Sequence, residues 1–207
     1  MSTPGTPLSA LRRIARSRPA PATERCDMCA AAVDAEHRHV VDLTGRALMC
    51  VCRPCYLLFT GEQATQHYRA VPDRYLAFPG STLDESAWDE LDIPVGLAFL
   101  FRNSAQDRMV ALYPGPAGAT ESDVPPAAWD RIVARTPDLA VLRPDVEAIL
   151  ARRPGRTDGL CYLVPIDACY ELVGRLRVLW RGFDGGREAH QAMDQFFDRV
   201  RARAGAS

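Results

Sequence analysis

Cys26-x-x-Cys29 and Cys52-x-x-Cys55 are two matching pairs of thiols separated by a stretch long enough for one hairpin. Each pair can wrap a turn around one edge of a coordination sphere, and four thiolates complete the tetrahedral shell of a structural metal site. Cys50 falls in the same stretch, so five of the seven cysteines lie within thirty residues. The preferred ligand set is Cys26, Cys29, Cys52 and Cys55, with Cys50 as a neighbour behind the site. Cys50, His37 and His39 are the alternative ligands, since the two histidines share one side of the expected first strand and a site of three cysteines and one histidine arises if one cysteine is displaced. The remaining thiols are too few for a second four-thiolate set, so the expectation is one metal per chain. Cys161 and Cys169 sit among apolar residues and read as core.

Zinc and iron both accept four thiolates, and the choice decides the chemistry. Zn2+ does not change oxidation state, whereas a rubredoxin-like Fe site carries an electron. Rubredoxin turns run Cys-x-x-Cys-Gly, the glycine allowing backbone amides to reach sulfur. Here Ala30 and Tyr56 follow the pairs, which favours zinc. Arg25, Arg46 and Arg53 are placed to offset the negative charge of the thiolates. Pro54 suits the first turn of a helix, and a helix N-terminus at Cys52 and Cys55 favours their ionised form.

These residues need elements to hold them. Strands near 39–43 and 47–51 across Thr44-Gly45-Arg46 make a hairpin between the pairs, the order of a zinc ribbon or treble clef. Residues 1–23, rich in Pro, Ala, Ser and Arg, read as a mobile arm with a short amphipathic stretch at Leu8, Leu11 and Ile14. The four-cysteine metal-binding module spans 24–66 and an α+β domain spans 67–207. In that domain Thr82-Leu-Asp-Glu85 has capping-box spacing. Strands are expected at 95–101, 109–113 and 160–164, and a helix carries Trp129, Ile132 and Val133. Asp167 is expected to cap a helix with Cys169, Leu172, Leu176 and Trp180 on one face, and the last helix runs from Arg187 to about Arg203. The segment from Tyr113 to Ser122 is a structured turn between strand and helix, with anion binding the less favoured reading. Trp180, Arg181 and Phe183, between the last two helices, are candidate interface anchors. The whole reads as a small antiparallel sheet covered by helices behind a metal module.

Composition narrows the function. A net charge of -1 and a pI near 6.4 disfavour nucleic-acid binding, which draws on accumulated positive charge. All 25 cations are Arg, a bias that GC-rich coding explains. The apolar run from Val95 to Phe101 is too short to span a bilayer, and Arg12-Arg13 is not followed by a signal-peptide core. The expected compartment is cytoplasmic, where reduced thiols bind metals rather than form disulfides.

Arg25-Cys-Asp-Met-Cys29, His37-Arg-His-Val-Val-Asp-Leu43 and Leu48-Met-Cys-Val-Cys-Arg-Pro-Cys-Tyr-Leu-Leu-Phe59 resemble a family of uncharacterised actinobacterial proteins encoded beside high-affinity nickel-iron hydrogenases. Ile93-Pro-Val-Gly-Leu-Ala-Phe99, Tyr113 to Ser122, Val164 to Val173 and Trp180-Arg-Gly182 extend the likeness over nearly the whole chain after the arm. The resemblance implies a role in hydrogenase maturation, assembly or electron supply, with hydrogenase subunits or maturation proteins as partners. It supplies no active site. The expectation is a non-catalytic, zinc-stabilised accessory and interaction protein, with a rubredoxin-like iron electron carrier as the alternative.

Overall fold

The computed structural model describes residues 24–61, 67–79, 83–115, 118–153, 161–182 and 185–205. The expected arm at 1–23 and Phe183 lie outside them, as does Thr82 of the capping-box sequence. Two antiparallel sheets organise the chain. The smaller is the hairpin β1 (Arg38–Asp42) and β2 (Ala47–Val51), with β3 (Tyr68–Ala70) on the free side of β1. Asp42 turns the hairpin, its carboxylate accepting the amides of Thr44 and Gly45 at 2.9 Å each. A short helix, α1 (Arg53–Leu57), follows β2.

The larger sheet holds six strands: β4 (Leu76–Phe78), β5 (Leu97–Asn103), β6 (Arg108–Gly115), β7 (Gly118–Asp123), β8 (Glu147–Arg152) and β9 (Cys161–Pro165). Their spatial order is β4-β9-β8-β5-β6-β7, and every pairing is antiparallel. The expected turn from Tyr113 to Ser122 is therefore a hairpin in which Tyr113 pairs with Thr120 and Leu112 with Glu121. Helices α2 (Glu85–Glu90), α3 (Pro126–Arg135), α4 (Ile166–Leu179) and α5 (Gly186–Ala204) cover the sheet, with a 3-10 turn at Pro137–Val141.

Strand periodicity sorts the side chains between two cores. Phe99, Leu150 and Tyr162 face α4 and α5, where Leu172, Leu176, Ala192 and Phe196 meet them. Their immediate neighbours Leu100, Ile149 and Leu163 face the opposite way, onto Trp88, Leu91 and Ile132 of α2 and α3 and the turn after α2. The sheet is thus buried on both faces, a helix–sheet–helix sandwich rather than a sheet covered on one side.

Two capping expectations are corrected. Asp84 caps α2, its carboxylate accepting the Ala87 amide at 2.7 Å. Asp167 does not cap α4: Pro165 holds that position, and the Asp167 carboxylate in the first turn is taken by His39 Nδ1 at 2.9 Å. That contact is one of several joining the cysteine-bearing region to the large sheet. Val41 and Leu48 pack on the core beneath α4 and α5. Arg38 pairs with Asp73 at 3.1 Å and Arg69 with Asp145 at 3.0 Å. The connection after β3 carries Arg74, which clamps the fully buried carboxylate of Glu147 through two bonds of 2.8 and 2.6 Å.

Candidate metal centre

The first cysteine pair forms a tight turn before β1. Cys26 donates its amide to Ala31 O, and its own carbonyl accepts the Ala30 amide, both at 2.8 Å. Ala30 takes φ 60, the left-handed conformation that glycine ordinarily supplies after a Cys-x-x-Cys pair. Alanine makes the turn at a cost of about 1–2 kcal/mol. The missing glycine after Cys29 therefore does not distinguish zinc from iron, whereas Tyr56, after the second pair, lies within α1 and takes no such turn. Arg25 closes the turn from outside by donating to Ala30 O at 3.0 Å.

The second pair sits where β2 gives way to α1. Cys52 is the helix N-cap, Pro54 occupies the first turn, and the Cys52 carbonyl accepts the Tyr56 amide at 2.9 Å. The turns are tied together by Asp27: its amide donates to Cys50 O at 2.8 Å, and its carboxylate accepts the Cys50 amide at 2.7 Å. Around them lies a small core of Val33, Val40 and Val51 with Cys26.

This framework brings the sulfurs of Cys26, Cys29, Cys52 and Cys55 to within 4.8 Å of one another. Cys29 Sγ and Cys52 Sγ are 3.6 Å apart. Zinc–sulfur bonds of about 2.3 Å in a tetrahedron put the sulfurs about 3.8 Å apart, so the four thiols fit one tetrahedral ion. Cys50 does not join them; it lies with His37 and His39, a separate cluster also within 4.8 Å.

The backbone already favours charge at one sulfur. Burial pushes the Cys26 thiol up, but amides of Cys52, Cys29 and Met28 aimed at the sulfur outweigh it and bring the group down to about 6. At Cys29 an amide hydrogen bond from Ala31 works in the same sense, yet contact with the sulfurs of Cys26 and Cys52 leaves the thiol raised. Cys55 is pushed up to about 12, first by the Cys52 thiol and then by burial. The helix N-terminus expected to ionise it is overridden by crowding among sulfurs, the condition a bound cation relieves. Of the arginines flanking the site, Arg46 is turned away to Glu121.

A pH dependence follows. With Cys29 and Cys55 protonated at neutral pH, loading a cation displaces at least two protons. Apparent affinity therefore falls by at least about a hundredfold for each pH unit lost, and by a further factor of about ten per unit once Cys26 also protonates. The Cys26 proton enters below about 6. Competition with a chromophoric chelator between pH 5 and 8 measures it; an affinity independent of pH contradicts the ligand set.

Cys161 and Cys169 are both buried in the large-sheet domain. Burial pushes the Cys161 thiol up to about 11 and that of Cys169 well above its ordinary value. Each is a small apolar side chain, Cys161 against the α2 and α3 side and Cys169 against the other. Cys161→Ala and Cys169→Ala are expected to leave the metal-to-protein ratio unchanged by elemental analysis. Trp180 and Arg181 close the link between α4 and α5: the indole donates to Gly182 O at 3.1 Å, and Arg181 donates to the carbonyls of Val178 and Trp180.

Fold and cluster together define an α+β protein with a four-cysteine cluster able to hold a metal ion. The chain belongs to a family of unknown function, DUF5947, whose profile spans residues 25–204. No curated protein and no solved structure matches it. Among the described residues no helix is long and apolar enough to cross a membrane.

Proposed function

We propose that this chain is a zinc-stabilised accessory protein of the cytoplasm that serves a nickel-iron hydrogenase in maturation or assembly. It works by contacting hydrogenase subunits or their maturation proteins. The observation that carries the reading is the gathering of four thiols within 4.8 Å on two turns cross-tied by Asp27, a framework suited to a scaffold. Beside Cys55, Leu57 and Leu58 are 52% and 68% exposed with respect to the described residues, apolar surface suited to a protein partner. The hydrogenase assignment rests on the sequence resemblance.

A second reading, the rubredoxin-like iron electron carrier, is supported by the Ala30 turn, by the amides aimed at Cys26 sulfur, and by the exposed Cys29, a route for an electron at the surface. Metal identity in protein purified without oxygen separates the two readings. An affinity-tagged copy in the native host is expected to recover hydrogenase components, and deletion to lower hydrogen uptake. With zinc, the deletion strain holds less assembled enzyme; with iron, enzyme assembles but does not pass electrons on. Normal uptake in the deletion strain, with no hydrogenase component recovered, overturns both.

A further inference from the structure

His39 and Cys50 are directly opposed across the β1–β2 hairpin. Side chains of opposed residues share a face, and His37, two residues before His39, shares it too. The hairpin register therefore assembles a second donor set on the α4 side of the module, with one ring nitrogen from each of His37 and His39 and the Cys50 sulfur within 4.8 Å of one another. The imidazole rings lie 4.8 Å apart between centroids and tilted by 55°, so neither is stacked flat against the other.

Hydrogen bonding has already chosen which nitrogens are free. His37 Nδ1 lies 2.9 Å from the Asp34 carbonyl, which can only accept, so that nitrogen carries the proton. His39 Nδ1 lies 2.9 Å from the Asp167 carboxylate and carries its proton by the same reasoning. Both rings thus keep the lone pair on Nε2, and a carboxylate behind Nδ1 is the arrangement that orients metal-ligating histidines and raises their basicity. His37 Nε2 is buried and has no hydrogen-bond partner, on a side chain only 10% exposed. A buried lone pair without a partner is destabilising, and a cation removes that cost.

We propose that His37, His39 and Cys50 form a second metal site for a divalent transition ion of the zinc class, separate from the four-thiolate cluster. Two imidazoles and one thiolate suit an ion of borderline softness and exclude magnesium or calcium, which take oxygen ligands. Three protein ligands leave a fourth position for water or an exogenous donor, the pattern of open zinc sites. His37 and His39 line a polar cleft of about 620 Å³ between β1 and α4. The proposal goes beyond the four-thiolate reading and does not depend on it.

The test is cobalt stoichiometry of the full chain, loaded with excess Co2+ under reducing, oxygen-free conditions and freed of loose ion by gel filtration. The wild type is expected to retain two equivalents. Cys50→Ser and His39→Ala are each expected to retain one, with the visible spectrum of four-thiolate cobalt preserved, which also shows that the module has folded. One equivalent in the wild type with the four-thiolate spectrum overturns the proposal, as do two equivalents in both variants. If His39→Ala loses its fold through the Asp167 contact, the wild-type count and Cys50→Ser still decide.

Discussion

Cys29→Ser and Cys55→Ser are expected to abolish metal retention at the four-thiolate site and to unfold residues 25–60 while the six-stranded sheet stays intact. Metal binding in small zinc modules contributes on the order of 10–16 kcal/mol of apparent free energy, and without it such modules do not hold a fold. The buried apolar core here is Val33, Val40 and Val51 with Cys26, and Met28, Met49, Tyr56 and Phe59 pack on it only partly buried, too little for a region of this size to fold unaided. The body has its own two cores and loses the packing of Val41 and Leu48, the Arg38–Asp73 and His39–Asp167 pairs, and the hydrogen bonds of Val71 to His39 and Tyr56. Hydrogen exchange read by mass spectrometry resolves the outcome: protection vanishes over 25–60 and persists in β5, β8 and β9. Retained protection across the hairpin in both variants contradicts the role assigned to the metal.

Arg74→Ala is the second large effect, expected to destabilise the body by about 3–5 kcal/mol. Glu147 is fully buried at the start of the central strand β8, held by the Arg74 guanidinium and by the Arg143 amide at 2.9 Å. Removing Arg74 leaves a carboxylate in the interior with one hydrogen bond. Replacing both partners together, as Arg74→Met with Glu147→Leu, removes the charge and its counter-charge at once, and is expected to cost far less than Arg74→Ala. Urea unfolding followed by tryptophan fluorescence gives both values, since Trp88 is buried in the opposite core. Equal destabilisation by the single and double variants contradicts the account.

The cysteine cluster was the most legible part of the chain because its geometry is local: two short turns and a hairpin require only their own residues, and the strands at 38–42 and 47–51 lie within a residue of the expected positions. The amphipathic last helix was legible for a similar reason, as Ala189, Ala192, Phe196, Phe197 and Val200 repeat at helical spacing and are all buried. Strand β8 was not. Its sequence, Glu-Ala-Ile-Leu-Ala-Arg, is apolar without alternation because both faces are covered, and Ala, Leu and Glu carry helical rather than strand propensity. Tertiary pairing with β5 and β9 decides its conformation. Strand β7 hid in the opposite way, as an exposed polar edge, Gly-Ala-Thr-Glu-Ser-Asp.

Around the cysteine cluster the misses concern partners far apart in sequence. Asp167 reads locally as a helix cap, and its contact with His39 spans 128 positions. Without that contact the histidines read as alternatives to a cysteine. Register supplies the rest: only when His39 is placed opposite Cys50 do the three side chains become a group of their own. The Ala30 conformation was also beyond sequence reasoning, which takes φ above zero as a glycine position.

The central claim is that Cys26, Cys29, Cys52 and Cys55 together hold one metal ion. X-ray absorption at the metal edge, on Cys50→Ser protein purified without oxygen so that only this cluster contributes, tests it most directly. The account predicts one zinc per chain surrounded by four sulfurs at about 2.3 Å. Four sulfurs around iron keep the ligand set and turn the functional reading to electron transfer, whereas a shell with fewer than four sulfurs, or no bound metal, contradicts the claim.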